Sequence, residues 1–226
     1  MKTPADKFLS SSDQTRLALI HAALGLFGRQ GFDGTSTREI AAAAKANIAS
    51  ISYHFGGKDG LRMAVADHIV STIQGIAGPA LGNLDASLSA GMDAASARRQ
   101  LHLVLERMIG FLVARPEAGE IAQFVLRELS RPTPALDRIY AGVFEPVHRR
   151  LCLLWEAATG EHAETEQVRL TVFTLIGQVV YFRIGREAVM RRMGWTEIGA
   201  DQAAAILAVT SANLDAVLDA RTRRQP

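Results

Sequence analysis

The sequence predicts an all-α protein. Apolar residues recur at steps of three and four through most of the chain, as they do on one face of an amphipathic helix. No stretch shows the sustained alternation of apolar and polar residues that is typical of half-buried strands. Pro116, Pro132 and Pro134 fall between the helical stretches, where they interrupt none of them.

The first two predicted helices have recognisable ends. One begins at Asp13, a candidate N-cap, and stops at Gly31. The next is capped by Ser36 or Thr37, has Glu39 at about the distance of a capping box, and runs through residue 43 or 44. Both helices therefore carry local signals as well as an apolar period.

Two further helices complete the N-terminal part, one from near Asn47 to just before Gly56 and one over 58–74. Residues 75–97 are rich in Gly, Ala and Ser, which predicts a loose connection or a poorly packed helix. Pro146 is expected to kink or interrupt one of the helices that follow. These later helices are predicted over 97–114, 117–130, 134–159, 164–192 and 200–221.

The length and composition indicate a soluble chain with two domains. It has 226 residues, of which 48% are hydrophobic and 21% charged. We expect a flexible arm at 1–12, a DNA-binding domain at 13–57, a connecting helix at 58–74 and a larger domain at 75–226. The net charge of +2 neither requires nor excludes nucleic acid.

Several other classes of protein are disfavoured. The single cysteine, Cys152, lies in an apolar run and is expected to be a small buried residue; it forms no intrachain disulfide and no cysteine-cluster metal site. The N-terminal residues lack the apolar core of a signal peptide, and no run reaches the roughly 20 apolar residues of a membrane span. We therefore expect a cytoplasmic protein without a membrane partner.

Residues 37–55 have the spacing of a helix-turn-helix. Ile40 and Ile51 stand eleven positions apart across a short turn at Lys45, so each can point inward from its own helix. Ala41 is small enough to let the two helices cross closely. Phe27 and Phe55 are expected to supply large side chains to the same small core.

With Ile51 buried, the other face of its helix turns Ala49, Ser50, Ser52 and Tyr53 toward solvent. Small residues there would allow close approach to base edges. Taken singly, these residues have ordinary explanations: a half-buried aromatic for Tyr53, or a solvated charge for Lys58 and a helix cap for Thr37. Together, around one pair of helices, they favour DNA binding.

Residues 14–61 resemble the DNA-binding region of the TetR family of transcription regulators. The resemblance is carried by "FGRQGFDGTSTREIAAAAKANIASISYHFGGKDGL", above all by G-F-x-G-T-S-T-R-E-I-A and I-S-Y-H-F-x-x-K. The segment "IGQVVYFRIGREAVMRRMGW" at 176–195 is similar to the C-terminal domain of a TetR subgroup typified by CecR. Most of the chain is thus covered by the resemblance.

The resemblance implies which residues contact DNA. Arg38 is the residue most expected to reach a guanine, because its guanidinium can donate two parallel hydrogen bonds. The family usually has Gly where Lys45 stands, so Lys45 is expected either to adopt a positive φ or to contact a phosphate. Ser52 stands where Tyr is frequent and Gly57 replaces a usual Ser cap. The implied phosphate contacts are Ser36, Thr37, Tyr53, His54 and Lys58; the base contacts are Arg38, Ala49, Ser50 and Ser52; Lys45 and Asn47 complete the set.

The C-terminal helices mix polar groups into apolar faces, which predicts an apolar ligand cavity with polar anchors. Tyr140, Phe144 and His148 are expected to share a face through their i, i+4 spacing. The structural alternative is that the polar groups form internal ion pairs or interface contacts. The candidate ligand-binding residues are Phe124, Arg127, Glu128, Tyr140, Phe144, His148, Tyr181 and Arg183.

The last two predicted long helices are apolar over a wide arc. Either they form an intramolecular core, or, as the resemblance implies, they form a homodimer interface that places two recognition helices in successive major grooves. The arc consists of Val168, Val172, Leu175 and Val179 in one helix and Ile206, Val209, Leu214 and Val217 in the other.

An enzyme is disfavoured because the six histidines are scattered, without a paired metal-ligand motif, a nucleophile elbow or a phosphate-binding loop. No cofactor is expected. The sequence and the resemblance therefore predict a ligand-responsive transcription regulator that acts as a repressor. It is expected to bind a double-stranded DNA operator as a homodimer and to be released by an unidentified small-molecule effector. The alternative is a helical adaptor that binds a ligand but not DNA.

Overall fold

A computed structural model describes residues 10–81 and 84–222, and every regular element in these ranges is a helix. The all-α prediction is confirmed. Residues 1–9 of the predicted arm lie outside the described residues, whereas Ser11 and Ser12 already belong to the first helix. The N-terminal helices are α1 (Ser11–Gln30), α2 (Thr37–Ala43), α3 (Ala49–Phe55) and α4 (Lys58–Leu81).

The rest of the described chain continues as helices with short connections. A π-helical segment, Tyr140–Phe144, joins two of them directly. The helices are α5 (Leu84–Ser89), α6 (Ala94–Leu112), α7 (Glu117–Ser130), α8 (Pro134–Ile139), α9 (Glu145–Thr159), α10 (Glu166–Ile184), α11 (Arg186–Met193) and α12 (Ala200–Thr222).

The ends of α1 differ in part from the prediction. Its N-cap is Ser10, whose hydroxyl accepts a hydrogen bond from the backbone N–H of Asp13, so the prediction of Asp13 as the cap was wrong. Asp13 instead lies in the first turn, where a negative charge complements the helix dipole. Gly31 ends the helix as predicted, with φ of 82° and its N–H donated to the Phe27 carbonyl.

The outcome differs among three stretches of predicted helix or connection. Residues 75–97, expected to form a loose connection or a poorly packed helix, are largely helical where the structure describes them, because α4 continues to Leu81 and α5 follows. The helix predicted over 134–159 is interrupted by the π-helical segment just before Pro146, in agreement with the expected disruption. The helix predicted over 164–192 breaks at Gly185, where α10 and α11 bend by 76°.

The described helices form two compact units. The first contains the chain up to Thr72 together with Glu120–Gly142, and the second contains Ile73–Gly119 with the chain from Val143 onward. The predicted organisation, with one domain over 75–226, did not anticipate that 120–142 would pack with the N-terminal helices. Helix α4 runs through the division at Thr72 and Ile73.

In the first unit, α1 packs against α2 and α3, which also contact each other. Ile40 is 0% and Ile51 1% exposed, so both face inward as predicted. Phe27 is buried and lies 6.5 Å from Phe124 of α7, measured between ring centroids. Aromatic contact therefore helps to hold α7 within this unit.

Arg127 provides a second link between α7 and α1. Its Nε donates to the Gly28 carbonyl and its Nη2 to the Arg29 carbonyl, both at 2.6 Å. These carbonyls belong to the last turn of α1, which has no further intrahelical donors for them. A positive charge at a helix C-terminus is favourable, so Arg127 stabilises the end of α1.

The core of the second unit is formed by apolar faces of α6, α9, α10 and α12. Arg98 of α6 ties α12 to this core through Asp215 and Asp219, at 2.6 Å from each. Cys152 is buried as predicted, and burial together with Glu164 raises the pKa of its thiol to about 11. It is therefore protonated near neutral pH.

Helices α10 and α12 use one face for the core and leave an apolar face uncovered. Val168, Val172 and Val179 are buried, whereas Phe173 is 59% and Val209 60% exposed. Helix α12 is long and apolar enough to cross a membrane, with a mean hydropathy of 1.4, but a single such helix is weak support for a span. Only 22% of its most apolar window is buried within the chain.

Candidate nucleic-acid interface

The start of α2 is fixed by the predicted capping box. The Ser36 hydroxyl accepts a hydrogen bond from the Glu39 N–H at 3.1 Å, and the Glu39 carboxylate accepts from the Ser36 N–H at 2.7 Å. The Ser36 hydroxyl also donates to the Glu39 carboxylate at 2.7 Å, and this hydrogen bond, together with the one from the Ser36 N–H, lowers the pKa of Glu39. Thr37 is the first residue of α2 and Arg38 follows it on the exposed side.

The turn between α2 and α3 has the conformation that its sequence predicted. Lys45 has φ of 53°, and it is the one non-glycine residue with positive φ among the described residues. The N–H of Lys45 donates to the Ala42 carbonyl, and that of Ala46 donates to the Ala41 carbonyl. This pair of hydrogen bonds is the Schellman motif, which usually places Gly at the position of Lys45.

Helix α3 presents its small residues outward. Ile51 is buried, Ala49 and Ser52 are exposed, and Ser50 is half-buried. Tyr53 is 82% exposed, so its side chain is not the half-buried aromatic that was the structural alternative to DNA binding. The arrangement leaves a narrow ridge of small side chains that a major groove could accommodate.

Asn47 supports α3 from its N-terminal side. Its Oδ1 accepts a hydrogen bond from the Ala49 N–H at 2.9 Å. This bond satisfies one of the N–H groups that lack an intrahelical partner at the start of a helix. The side chain of Asn47 is therefore used, at least at this oxygen, to position the recognition helix.

The first turn of α4 packs closely on the end of α3. A Cβ on Gly60 would lie 1.8 Å from the Phe55 carbonyl oxygen, so only glycine permits this approach. Gly56, with φ of 71°, ends α3 in the left-handed conformation and donates its N–H to Ser52. Helices α3 and α4 are thus joined by a short connection that depends on glycine.

Three cations surround the aromatic side chains at this junction. The Lys58 ammonium lies 4.3 Å and the Arg62 guanidinium 4.4 Å from the Phe32 ring centroid, and Arg16 of α1 lies 5.5 Å from that of Phe55. Sequence analysis did not select Arg16, because its partner, Phe55, lies far along the chain in another helix. Arg38, in contrast, makes no hydrogen bond or ion pair within the described chain.

The eight candidate ligand-binding residues are divided between the two units. Phe124, Arg127, Glu128 and Tyr140 belong to the first, and Phe144, His148, Tyr181 and Arg183 to the second. The structure therefore does not bring all eight together in one compact unit, and their role in effector binding stays a prediction.

Several of their polar groups make the internal contacts of the structural alternative. Glu128 pairs with Arg62 at 2.7 Å. Arg183 donates to the carbonyls of Leu112 and Arg115, at the end of α6. These groups stabilise helix packing in the free protein.

That Tyr140, Phe144 and His148 share a face stays a prediction. The first two residues are the ends of the π-helical segment, and His148 lies in α9. Tyr140 is 55% exposed, whereas the other two are half-buried. His148 stacks on Phe173, with a centroid distance of 4.0 Å.

The second unit contains a cavity of about 40 Å³, and none of the residues that line it was selected as ligand-binding by sequence analysis. Its walls are ordinary core side chains from four helices, which no local motif distinguishes. Gln178 is the exception, a single amide within the apolar run "TLIGQVVYF" of α10.

The chain matches two family models. Residues 19–65 match the model for bacterial regulatory proteins of the tetR family. Residues 97–221 match the C-terminal domain of the HTH-type transcriptional dual regulator CecR. The two matches cover the helix-turn-helix and more than half of the chain.

Similar proteins agree with these matches. CecR of Shigella flexneri is 32% identical over 212 residues, which cover 94% of this chain and 95% of CecR. The probable HTH-type regulator YttP of Bacillus subtilis is 49% identical over 57 residues, 25% of this chain and 26% of YttP. The crystal structure of AibR with isovaleryl coenzyme A and operator DNA shares the fold, with a TM-score of 0.61 at 18% identity, covering 88% of this chain and 97% of AibR.

These relatives are transcription regulators rather than enzymes, as the sequence predicted. The exposed recognition helix, the match at the helix-turn-helix and the full-length similarity to CecR point to one conclusion. The chain belongs to the TetR family of helix-turn-helix transcription regulators, and within it to the proteins with a CecR-type C-terminal domain.

Proposed function

We propose that this regulator binds a pseudo-palindromic operator as a homodimer, represses transcription there, and is released by a small-molecule inducer. The observation that carries the DNA-binding part is the geometry of α3. Buried Ile51 anchors a helix whose opposite side exposes Ala49, Ser52 and Tyr53. Arg38 is exposed and forms no ion pair within residues 10–81 and 84–222, and it is assigned to a base edge, most simply a guanine.

Phosphate contacts are assigned to residues around this ridge. Tyr53 and Lys58 flank it on α3 and α4, and Lys45 projects from the turn. Such contacts fix the register of the protein on the duplex but carry no sequence information of their own. The remaining assigned phosphate contacts are Ser36, Thr37 and His54; Ser50 is assigned to a base edge, and Asn47 completes the set.

The homodimer is supported by the uncovered apolar face of α10. Exposed residues follow one another at helical spacing along this face, so they form a continuous stripe. Exposed apolar stripes of this kind are typical of subunit interfaces. The stripe consists of Leu170, Phe173, Gly177, Tyr181 and Ile184, and it replaces the residues predicted for the interface, most of which are buried in the core.

Ligand response is supported by the path of α4. This helix begins next to the recognition helix and continues past Thr72 into the second unit. An effector that binds the second unit could therefore change the separation of the two recognition helices through α4. Such a mechanism requires two states with different affinities for the effector. AibR, a protein with the same fold, was crystallised with both an acyl-coenzyme A and operator DNA.

The function is tested by selecting bound duplexes from random DNA and measuring affinity against salt. A regulator should select a motif with two-fold symmetry, and its affinity should fall steeply as salt rises. A helical adaptor that does not bind DNA would show no salt-sensitive binding, and that result would overturn the proposal.

The dimer is tested separately by substituting Phe173→Asp and measuring molar mass in solution. A charge in the stripe should shift the protein toward monomer. Operator binding should weaken as well, because each monomer then binds its half-site independently. Leu129→Asp, at another exposed apolar residue on α7, is the matched control and should leave the mass unchanged.

A further inference from the structure

The core of the second unit contains a partly enclosed cavity of about 40 Å³. Side chains of α6, α9, α10 and α12 line it, and almost all of them are apolar. The lining includes Leu101, Leu105, Met108, Trp155, Val172 and Gln178. A cavity of about 10–15 Å³ on this measure holds one water, so this one has room for a chemical group of a few non-hydrogen atoms.

Gln178 has an incompletely satisfied amide at this cavity. Its Oε1 accepts a hydrogen bond from Asn213 Nδ2 at 3.2 Å, which orients the amide plane. Its Nε2 is buried and has no hydrogen-bond partner among the described residues. Buried polar atoms are almost always paired, so an unpaired donor in a cavity wall calls for a partner from outside the chain.

Water is a poor partner for this donor. A buried water molecule usually makes two to four hydrogen bonds. The other polar group in the wall, Trp155 Nε1, already donates to Glu161 at 2.9 Å. Waters in the cavity would therefore have only Gln178 and one another as partners among the described wall residues, and would otherwise face hydrocarbon.

A partner subunit is also a poor candidate. Gln178 Nε2 is buried within a single chain, so a second copy that covers the α10 stripe could not reach it without rearrangement. A charged ligand is disfavoured as well, because the cavity wall has no charged side chain to compensate the desolvation of an ion.

We infer that this cavity receives the end of a neutral, mainly hydrocarbon ligand that carries one hydrogen-bond acceptor, and that Gln178 donates to this acceptor. A ketone or ester oxygen has the required chemistry: it accepts from Nε2 while the adjoining carbon atoms contact leucine, valine and tryptophan side chains. This inference rests on the proposed ligand response and names the class of effector that it requires.

The test compares two narrow ligands of the same shape, butan-2-one and 2-methylbut-1-ene, which differ by an oxygen in place of a CH₂ group. Binding is followed through the fluorescence of Trp155, in a protein that also carries Trp195→Phe. The ratio of the two affinities is measured with Gln178 and with Gln178→Leu. Because each ligand's own hydrophobicity cancels in this comparison, the change in ratio reports the hydrogen bond alone.

We expect Gln178→Leu to lower the affinity ratio of ketone to alkene by about tenfold, as expected for one buried hydrogen bond. The variant should fold at least as stably, because it removes an unpaired buried donor. Gln167→Leu, at an exposed position on the same helix, is the matched control and should leave the ratio unchanged.

An unchanged ratio in Gln178→Leu would overturn the assignment of the donor. Failure of both ligands to bind would overturn the cavity as a ligand site. Operator binding is measured on the same preparations without ligand, so either result is distinguishable from failure of the regulator proposal itself.

Discussion

Arg62 donates two hydrogen bonds to one oxygen of Glu128, from Nε at 2.8 Å and from Nη2 at 2.7 Å. The side chain of Glu128 is 3% exposed and that of Arg62 is 18% exposed. The second oxygen of Glu128 accepts a hydrogen bond from Thr133. A buried carboxylate on α7 is thus fully paired, and its main partner lies on α4, just after the recognition helix.

Removing Arg62 should destabilise the first unit strongly. In Arg62→Met the Glu128 carboxylate stays buried with only Thr133 as a partner, and breaking such a pair costs about 3 kcal/mol. Urea denaturation measures the free energy of unfolding. Arg138→Met is the control: Arg138 also forms an ion pair, with Asp67, but both side chains are about half exposed, so the loss should be about 0.5 kcal/mol. Equal losses in the two variants would show that burial of the pair contributes nothing.

Lys45→Gly should have opposite effects on stability and on DNA binding. Glycine removes the strain of a side chain at φ of 53°, which should raise the free energy of unfolding by about 1 kcal/mol. It also removes the phosphate contact proposed for Lys45, which should reduce the slope of log affinity against log salt by about 0.9 per half-site. Both quantities can be measured on one preparation.

Lys45→Ala separates these two effects. Alanine removes the charge but keeps a Cβ at positive φ, so the salt slope should fall without a gain in stability. If Lys45→Ala binds operator with the affinity and salt slope of the parent protein, Lys45 makes no phosphate contact.

Much of the helix-turn-helix could be predicted because its signals are local. The capping box of Ser36 and Glu39 and the inward direction of Ile40 and Ile51 depend on residues a few positions apart. The positive φ of Lys45 was one of the two alternatives that the resemblance implied. The TetR resemblance rests on the same local pattern. Fold and recognition helix therefore followed from sequence.

Contacts between distant parts of the chain could not be predicted in this way. The Arg127 side chain meets the Gly28 carbonyl across 99 residues, and Arg62 meets Glu128 across 66. Periodicity shows that these residues interrupt apolar faces, but it does not show what they meet. The lining of the cavity at Gln178 could not be predicted for the same reason, because its residues come from four helices.

His68 should make the protein less stable in mild acid. Burial, together with the neighbouring His21, lowers the pKa of His68 below its usual value of about 6.5. The unfolded chain then binds a proton more readily than the folded chain, so stability is full above about pH 6.5 and falls as the pH drops toward the lowered pKa. The ring centroids of the two histidines lie 4.9 Å apart on α1 and α4.

The measurement compares urea denaturation at several pH values between 7 and 5 for the parent protein and His68→Gln. The variant should lose less stability on acidification, and His21→Gln should show a smaller change in the same direction because His21 is the lesser cause. Parallel pH profiles for the parent and His68→Gln would contradict the expected linkage.

Arg38 and Lys58 should differ in what they contribute to DNA recognition. Arg38 is exposed and has no partner among the residues that the structure describes, so Arg38→Ala should relax the preference at one base pair, at a cost of about 1–3 kcal/mol on the preferred operator. Lys58→Ala should instead weaken binding to all duplexes about equally and reduce the salt slope, as expected for a phosphate contact. Selection from random DNA, followed by salt titrations on the selected and on unrelated duplexes, measures both effects. If Arg38→Ala leaves the selected motif and the affinity unchanged, Arg38 does not contact a base. The exposed side of α3 would then have to supply the sequence preference.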